Sequence, residues 1–435
     1  MHDLLIRNAI VVNSTRHEAT VLEGHDVAIT ERFITAIEKT GKLEAKQIID
    51  ASGTALLPGL INTHAHSAMV LFRGAAEDVT PESWFNDYIW RMETNLTSDN
   101  VYWGTLLAAL EMIEAGVTTV ADHYFMMDSV AKALLESGLR AHLSPTMFGK
   151  DEELVEAERF YHGWHERDER IKIWLGPHSP YLCSAEFLQK TLALAKKLNV
   201  GIHLHVSESK GQVRMSLEQH KLTPPAYIHA LGLTGVPLLF AHAANATLDD
   251  ILLMAQHEIG VAHCPKTFLK LAMGIALVTD MQEHGIPVGV GSDGAASNNS
   301  LDMLEQLRLA ALLQKHQEAD AKILKRHEVL AMATSEGAKV LREEKLGQVK
   351  EGFLADLILV NLEGAHVQPV HDVVASLVYS SRASDVDTVI INGKIVMEHK
   401  KHKTIDKSLV LQEMRRRAPR LVNRDTKEKL QDFPG

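Results

Sequence analysis

Cysteine is almost absent from the sequence, and its scarcity excludes two kinds of cross-linked protein. Cys183 and Cys264 are the only cysteines among 435 residues, and they lie far apart in the chain. Such a pair cannot supply a disulfide framework or a cysteine-rich structural zinc site. Both are therefore interpreted as small buried apolar residues. Because hydrophobic residues make up 46% of this long chain, an ordinary apolar core is expected to stabilise it.

An excess of positive charge and long apolar runs are also missing. The chain carries 45 Lys and Arg against 56 Asp and Glu, a formal net charge of -11. Binding to nucleic acid needs a basic face, so a nucleic-acid partner is excluded. Residues 1–7 contain an early acid and no long apolar run, which predicts a cytoplasmic protein without a signal peptide or membrane span. The basic stretch 400–417 contains interspersed acids and is interpreted as a solvated helix or an oligomer contact.

The central part of the chain alternates short apolar runs with segments of helical periodicity. About eight such alternations over roughly 280 residues favour an α/β fold of the (β/α)8 barrel type. An open dinucleotide-binding sheet is disfavoured because no Gly-x-Gly-x-x-Gly turn follows any strand. The predicted barrel strands are 55–62, 117–121, 139–144, 171–176, 200–206, 237–241, 259–263 and 286–291.

The two flanks contain short predicted strands separated by turns, and neither has a convincing core of its own. We expect them to meet in one small β-sandwich domain beside the barrel, with the tail from about residue 400 packed over it. The predicted division assigns residues 1–57 to the N-terminal part of the β-domain and 58–350 to the barrel. Residues 351–435 form the C-terminal part of the β-domain and the tail.

A His-x-His pair closes the first predicted barrel strand. Apolar residues from Pro58 onward lead to His64 and His66. Side chains at positions i and i+2 of a strand point to the same side, so both imidazoles can reach one cation. The pair alone is equally compatible with two core or surface histidines. The metal hypothesis therefore depends on the residues at the other strand ends.

Further candidate residues follow other predicted strands, at the end where barrel enzymes place their active sites. His178 follows the fourth strand, His205 ends the fifth, His242 ends the sixth and Asp293 ends the eighth. Taken singly, His205 also fits a core histidine and Asp293 a turn residue. Taken together, their convergence with the His-x-His pair favours a functional site.

The donor types predict one divalent metal. Three neutral imidazoles and a carboxylate suit Zn²⁺, with Fe²⁺ or Mn²⁺ as alternatives. A catalytic centre also keeps a position for water, so a mononuclear metal with a bound hydroxide is expected. The predicted ligands are His64, His66, His205 and Asp293.

The residue three positions after His205, Glu208, is the predicted proton carrier. A partly desolvated carboxylate beside the metal can move a proton from water to a leaving nitrogen. A solvated loop acid is the alternative interpretation. His242 is expected to polarise the hydroxide or to stabilise developing charge, and Asp293 to share in accepting the water proton.

Nearly the whole chain resembles the amidohydrolase superfamily, and within it the deaminases of 5'-methylthioadenosine and S-adenosylhomocysteine. The resemblance is carried by residues 58–66 (PGLINTHAH), 71–78 (LFRGAAED), 176–181 (GPHSPY), 205–208 (HVSE) and 291–299 (GSDGAASNN). It implies the same four ligands, with proton transfer by Glu208 and His242. Binuclear relatives carry a lysine after the fourth strand, where this chain has Pro177, His178 and Ser179, so the resemblance implies a single metal.

The same resemblance implies three substrate contacts. Trp84 would pack over the ligand, Glu93 would accept hydrogen bonds from ribose hydroxyls, and His178 would contact a ring nitrogen of the purine. Trp84 and Glu93 also fit core and surface positions of one amphipathic stretch. Similar enzymes that act on S-adenosylhomocysteine present arginines after the third strand, whereas residues 143–150 contain none. A free carboxylate on the substrate would therefore lose its bidentate partner.

The predicted activity is metal-dependent hydrolytic release of ammonia from an adenosine-type nucleoside, with hydroxide attacking the amino-bearing ring carbon. 5'-Methylthioadenosine and adenosine are favoured over S-adenosylhomocysteine. One alternative is a deaminase or chlorohydrolase of another amino-heterocycle, such as an s-triazine, a guanine-like base or a pterin. The other is a metal-binding barrel without catalysis, which loss of Glu208 or Asp293 would have indicated. A small-molecule partner and a homo-oligomer are expected.

Overall fold

The computed structural model describes residues 1–426 and 428–433. Within them, eight strand positions form the centre of the molecule, and nearly all of their residues are buried because each strand is a short apolar run. Neighbouring strands pair in parallel. In chain order the strands are Leu60–Ala65, Val117–Tyr124, Arg140–Met147, Ile171–Ile173 with Gly176–Pro177, Ile202–Val206, Leu238–His242, Ile259–His263 and Val288–Val290.

The strands close into a barrel. The first four positions pair as one sheet and the last four as another. Single bridges join the two sheets at both seams, from Ala65 to Asp293 and from Leu175 to Ile202. The predicted (β/α)8 barrel is therefore confirmed. Its fourth strand is interrupted between Ile173 and Gly176, which the apolar pattern did not indicate.

Helices follow the barrel strands and cover the outside. The first long one begins at a capping box, in which Thr97 accepts from the backbone of Asn100 and the Asn100 side chain accepts from the backbone of Thr97. None of the helices in the described part of the chain combines the length and apolar character that crossing a bilayer requires. The helices are Ser98–Glu114, Met127–Ser137, Asp151–Trp164, Ala185–Leu198, Lys210–His220, Pro224–Ala230, Leu248–Met254, Pro265–Leu271, Val278–Glu283, Ala295–Asn298, Met303–Gln317, Arg326–Met332, Ser335–Val340 and Lys407–Leu421.

Short helical turns fill three connections. One series follows the first barrel strand and carries Trp84 and Glu93, two of the three residues expected to contact substrate. It consists of Ser67–Phe72, Pro81–Ser83, Trp84–Ile89, Trp90–Met92 and Glu93–Asn95. The other turns are Leu233–Gly235, Val373–Ala375, Ser376–Ser380 and Ala383–Asp385.

Strands from both flanks join in a single sheet of nine strands within the described residues. Its apolar core takes side chains from both flanks, among them Ile6, Ile29, Leu357 and Ile390. The flanks therefore meet as expected, while the exact domain limits at 57/58 and 350/351 stay a prediction. The strands are His2–Ser14, Ala19–Thr30, Phe33–Lys39, Ala45–Asp50, Thr54–Pro58, Leu357–Asn361, Val386–Ile391, Lys394–Glu398 and Lys401–His402.

The predicted strand 55–62 is in fact two strands that belong to different sheets. Thr54–Pro58 pairs within the flanking sheet, and Leu60–Ala65 begins the barrel. Gly59 lies between them, where a Cβ would overlap the side chain of Thr118. The chain can change sheets here because glycine, which has no Cβ, leaves room for the Thr118 side chain.

The expectation that the tail packs over the β-domain is wrong. Helix Lys407–Leu421 packs mainly against helix Ser98–Glu114 of the barrel. Val410, Met414 and Leu421 form its buried face. The basic stretch is only partly a solvated helix, since the Arg417 side chain is 10% exposed and pairs with Asp99 and Glu413.

A buried ion pair joins the barrel to the flanking sheet and yields a prediction about stability. Arg140 binds Asp356 through Nε at 3.0 Å and Nη2 at 3.2 Å, with side-chain exposures of 3% and 2%. Replacing Asp356 by alanine would leave a buried guanidinium without its partner, so we expect a loss of about 3–5 kcal/mol in the free energy of unfolding. Urea unfolding followed by circular dichroism measures this loss.

The matched control is the exposed pair Lys42–Glu38 in the same sheet, whose side chains are 64% and 47% exposed. Glu38→Ala is expected to cost no more than about 1 kcal/mol because solvent screens that pair. Equal losses in the two variants would contradict the role given to Arg140 and Asp356.

Candidate active site

The four predicted metal ligands lie together at the carboxyl end of the barrel. His66 Nε2 is 3.2 Å from Asp293 Oδ1, and His64 Nε2 is 3.6 Å from the same oxygen. His205 Nε2 lies 3.3 Å from His66 Nε2. Three ring nitrogens and one carboxylate oxygen therefore surround one point, although they come from the first, fifth and eighth strands.

Hydrogen bonds on the far side of the rings determine which nitrogen faces that point. His205 Nδ1 donates to the backbone oxygen of His178 at 2.9 Å, and His66 Nδ1 donates to the backbone oxygen of His123. In the neutral rings both Nε2 atoms then carry lone pairs and face each other. Two lone pairs at this distance repel unless a cation lies beside them, and such outer hydrogen bonds are typical of metal-bound histidines.

His64 is oriented in the same way by a histidine that the sequence did not indicate. His64 Nδ1 and His203 Nε2 share a hydrogen bond of 2.9 Å. The opposite nitrogen, His64 Nε2, is buried and has no hydrogen-bond partner among the described residues. Burial holds the pKa of His64 and of His205 well below the ordinary value, so both rings are neutral and able to bind metal.

Asp293 supplies the negative charge of the site. Its Oδ2 accepts from Thr267 Oγ1 at 2.9 Å and from Ser297 Oγ at 2.8 Å, which leaves Oδ1 turned toward the histidines. Burial would raise its pKa, but the hydrogen bond and charge of His66 lower it well below the ordinary value. For His66, burial acts to lower the pKa, and Asp293 raises it to about 9. The carboxylate therefore requires a positive charge at this point, and the donor set fits a divalent metal.

His123 extends the donor cluster beyond the predicted four. The described residues contain three overlapping groups of possible ligands, and one of them joins His123 to His66 and His205. Thr146 Oγ1 lies 2.8 Å from His123 Nδ1, whereas His123 Nε2 is buried without a partner among the described residues. The sequence missed His123 because the second strand was predicted to end at residue 121 and extends to Tyr124.

Glu208 lies beside the ligand cluster and is 4% exposed. Its Oε2 accepts from Tyr181 Oη at 3.3 Å and from Gln212 Nε2 at 3.1 Å. Its Oε1 is 3.7 Å from His242 Nε2. One carboxylate oxygen is thus held by donors, while the other faces His242, as a residue that moves protons requires.

Gln212 is held in turn by the start of its own helix. Its Oε1 accepts from the backbone of Glu208 at 3.0 Å and of Ser209 at 3.3 Å, and Ser209 Oγ accepts from the Gln212 backbone at 3.2 Å. This capping box leaves Nε2 to donate to Glu208. In the sequence, Ser209 followed three residues later by Gln212 is the pattern that could have predicted this capping box.

A cavity with about 540 Å³ of empty space, including the part open to solvent, lies directly over the cluster. Trp84, Glu93 and His178 all line it, together with further aromatic side chains. Aromatic residues that the sequence did not indicate are Phe85, Trp90, Tyr124, Phe125 and Phe148.

Two of the predicted substrate residues have strongly shifted pKa values. Burial raises the pKa of Glu93 to about 7, against the hydrogen bond of 2.6 Å that Tyr124 Oη donates to it. Burial lowers the pKa of His178 to about 3, so its ring is neutral at pH 7. His178 also stacks on Phe148, with 5.4 Å between ring centroids. Both groups present hydrogen-bonding atoms to the cavity, beside its aromatic side chains.

A barrel of this kind with histidines and an aspartate at its carboxyl end is the architecture of a large class of metal-dependent hydrolases. Residues 55–396 match the sequence profile of the amidohydrolase family. The chain belongs to the amidohydrolase family, as the resemblance of its motifs predicted.

Individual relatives narrow the comparison. The chain is 40% identical over 434 residues to the 5-methylthioadenosine/S-adenosylhomocysteine deaminase of Pelotomaculum thermopropionicum, covering 98% of this chain and 100% of that protein. The crystal structure of a zinc-bound adenosine deaminase from Xanthomonas campestris superposes with a TM-score of 0.93 at 32% identity, covering 97% and 98%. An atrazine chlorohydrolase from Arthrobacter aurescens, complexed with zinc, gives 0.88 at 26% identity, covering 97% and 100%.

Proposed function

We propose that the protein is a metal-dependent hydrolytic deaminase that releases ammonia from an adenosine-type nucleoside, either 5'-methylthioadenosine or adenosine. The observation that carries the proposal is the placement of Glu208, with one oxygen held by Tyr181 and Gln212 and the other facing His242 at 3.7 Å. This arrangement lies at the base of the cavity that Trp84, Glu93 and His178 line. The names of the relatives support the same reaction and substrate class.

The proposed metal is a single Zn²⁺, with Fe²⁺ or Mn²⁺ as alternatives. His64, His66, His205 and Asp293 would hold it. His66 Nε2 lies 3.3 Å from His205 Nε2 and 3.2 Å from Asp293 Oδ1, His64 Nε2 lies 3.6 Å from the same oxygen, and these donor types suit the three ions. When bound, such a cation lowers the pKa of water and supplies a nucleophile at neutral pH. The zinc in two similar structures supports this choice.

The protein's own residues would carry the protons of the reaction. Glu208 Oε1 would accept a proton from water and deliver it to the amino group, which then leaves as ammonia while the ring carbon gains an oxygen. His242, next to that oxygen, would stabilise the charge that develops during attack. Asp293, with Oδ2 held by Thr267 and Ser297, would share in accepting the proton.

The cavity favours substrates without a charged tail. No arginine or lysine is found among the described residues that line it. Thr146, near the end of the third strand, and Phe148, just after it, line the cavity in place of the arginines expected for an amino-acid carboxylate. S-adenosylhomocysteine is therefore the less favoured nucleoside.

A substrate panel tests the proposal. Ammonia release is measured with 5'-methylthioadenosine, adenosine, S-adenosylhomocysteine, guanine and an aminopteridine, and chloride release with atrazine. We expect the highest kcat/KM for the first two compounds. The similarity to an atrazine chlorohydrolase supports a second candidate, hydrolysis of an amino- or chloro-triazine, which chloride release would identify. Turnover of none of them by metal-loaded protein would favour a barrel without catalysis.

Glu93 gives a sharper prediction for the nucleoside. Glu93→Gln removes a charged acceptor for ribose hydroxyls, so KM for the nucleoside is expected to rise roughly 10- to 100-fold. KM for the free base adenine should hardly change, because it has no ribose. Steady-state kinetics on both substrates measures the difference, and an equal change for both would contradict the assignment.

The location and assembly state stay predictions from the sequence. We propose a cytoplasmic homo-oligomer that binds its small-molecule substrate without a nucleic-acid or membrane partner. The acidic balance of the chain supports the exclusion of nucleic acid.

A further inference from the structure

The tail contacts the segment after the first barrel strand, next to the predicted substrate residue Trp84 and around Glu93. The tail and residues 85–99 lie mainly antiparallel, so residues later in the tail mostly contact residues earlier in that segment. From the beginning of the tail to its end, the contacts are Arg417 with Asp99, the backbone oxygens of Leu421 and Asn423 with the Asn95 side chain, the Arg424 guanidinium over the Tyr88 ring, Leu430 with the backbone of Trp90, and Phe433 with Phe85 and Asn86. We call residues 407–433 of the described chain the strap.

Phe433 makes the most specific of these contacts. Its ring stacks face to face on Phe85, with centroids 4.4 Å apart and an angle of 8° between the planes. The Asn86 side chain donates to the Phe433 backbone oxygen at 3.1 Å and accepts from its backbone nitrogen at 2.9 Å. Phe433 is only 6% exposed. Stacking therefore holds the ring of Phe433, and two hydrogen bonds hold its backbone.

Phe85 connects this contact to the cavity. Phe85 lines the cavity beside Trp84 and Trp90, whereas Phe433 lies behind it. The Phe85 ring meets Trp84 edge-on at 4.8 Å and Trp90 at 4.9 Å. The contact with Phe433 therefore supports the position of Phe85, and with it the aromatic wall of the cavity that Trp84, Phe85 and Trp90 form.

We infer that Phe433 is a positioning residue, and that the strap uses it to set the aromatic wall that binds the apolar part of the substrate. The substrate class, a nucleoside with an uncharged apolar 5' substituent, rests on the proposed function. Phe433 touches no reacting atom, so its effect falls on substrate binding. Phe433 also meets the Tyr181 ring edge-on at 6.0 Å, a longer contact than its stack on Phe85, so Glu208, which Tyr181 holds, is expected to be affected less.

The first arm of the test measures the wall itself, without substrate. Hydrogen exchange of the amides of residues 84–92 is compared in the metal-loaded wild type, Phe433→Ala and Asp432→Ala. Asp432 is the matched control because its side chain is 81% exposed. We expect faster exchange only in Phe433→Ala, because loss of the stack frees the segment. Unchanged exchange in this variant overturns the inference, whatever the substrate is.

The second arm measures substrate. In Phe433→Ala the KM for 5'-methylthioadenosine is expected to rise about three- to tenfold, the range for loss of one aromatic pair, while kcat changes by a smaller factor. Phe433→Leu should recover part of the affinity, and Asp432→Ala should keep the KM of the wild type. A fall in kcat with unchanged KM overturns the positioning role. If wild-type protein turns over no nucleoside, the proposed function fails, and the exchange arm still decides the role of Phe433.

Discussion

Glu208→Gln is expected to retain the metal and to lose turnover by a factor of about 10² to 10⁴, the range that a positioned proton carrier contributes. Glutamine keeps the size of the side chain and an oxygen for the donors Tyr181 and Gln212, but it cannot accept a proton from water. The ligand cluster is untouched, because Glu208 is not among the residues that surround the metal point. Ammonia release gives kcat, and elemental analysis gives the metal content.

The matched control is Glu218→Gln, on the helix that follows Glu208. Glu218 is exposed, so the same chemical change should leave both kcat and metal content as in the wild type. Near-normal kcat in Glu208→Gln would remove the proton-carrier assignment. Loss of metal in that variant would instead indicate that the carboxylate helps to hold the cation.

The clustering of the four predicted ligands could be foreseen because two local rules apply to them. Alternation along a strand brings His64 and His66 to one side, and the carboxyl ends of barrel strands meet around one opening. His205 and Asp293 obey the second rule, and the structure brings all four together. These rules need only the positions of strands in the sequence.

The supporting residues could not be predicted, since their roles depend on distances between strands. His203 alternates with His205 just as His64 does with His66, but only the closed barrel shows that its ring meets His64. Tyr181 follows the fourth strand and Glu208 the fifth, and only the folded structure shows the hydrogen bond between them. A pattern along one strand carries no information about such pairs.

The strap is the clearest case of a pattern interpreted too simply. Interspersed charges between residues 400 and 417 indicated a solvated helix, yet Arg417 is nearly buried between Asp99 and Glu413. A charge pattern shows that acids and bases balance, but it does not show which face of the helix finds its partners on another element. No periodic pattern in the sequence indicated the contacts of Phe433.

Removal of the metal is the second large effect. Chelation should abolish ammonia release, and addition of Zn²⁺, Fe²⁺ or Mn²⁺ should restore it with one metal per chain. The structural reason is the pair of Nε2 lone pairs of His66 and His205, 3.3 Å apart beside the Asp293 carboxylate. Without a cation these groups need a proton on His66, whose pKa burial acts to lower and Asp293 raises to about 9. The chelated protein should also unfold more readily, by about 4 kcal/mol when the metal had been present at a thousand times its Kd.

Two variants separate binding of the metal from its use. Asp293→Ala should lose both metal and activity, because three neutral imidazoles without the carboxylate hold a divalent ion more weakly. Glu208→Gln should regain metal and the lost stability on addition of Zn²⁺, yet remain inactive. Chelated wild-type protein that keeps full activity with no measurable metal would contradict the metal-dependent reaction. In that case, protonation of His66 alone would relieve the repulsion between the lone pairs at the carboxyl end of the barrel.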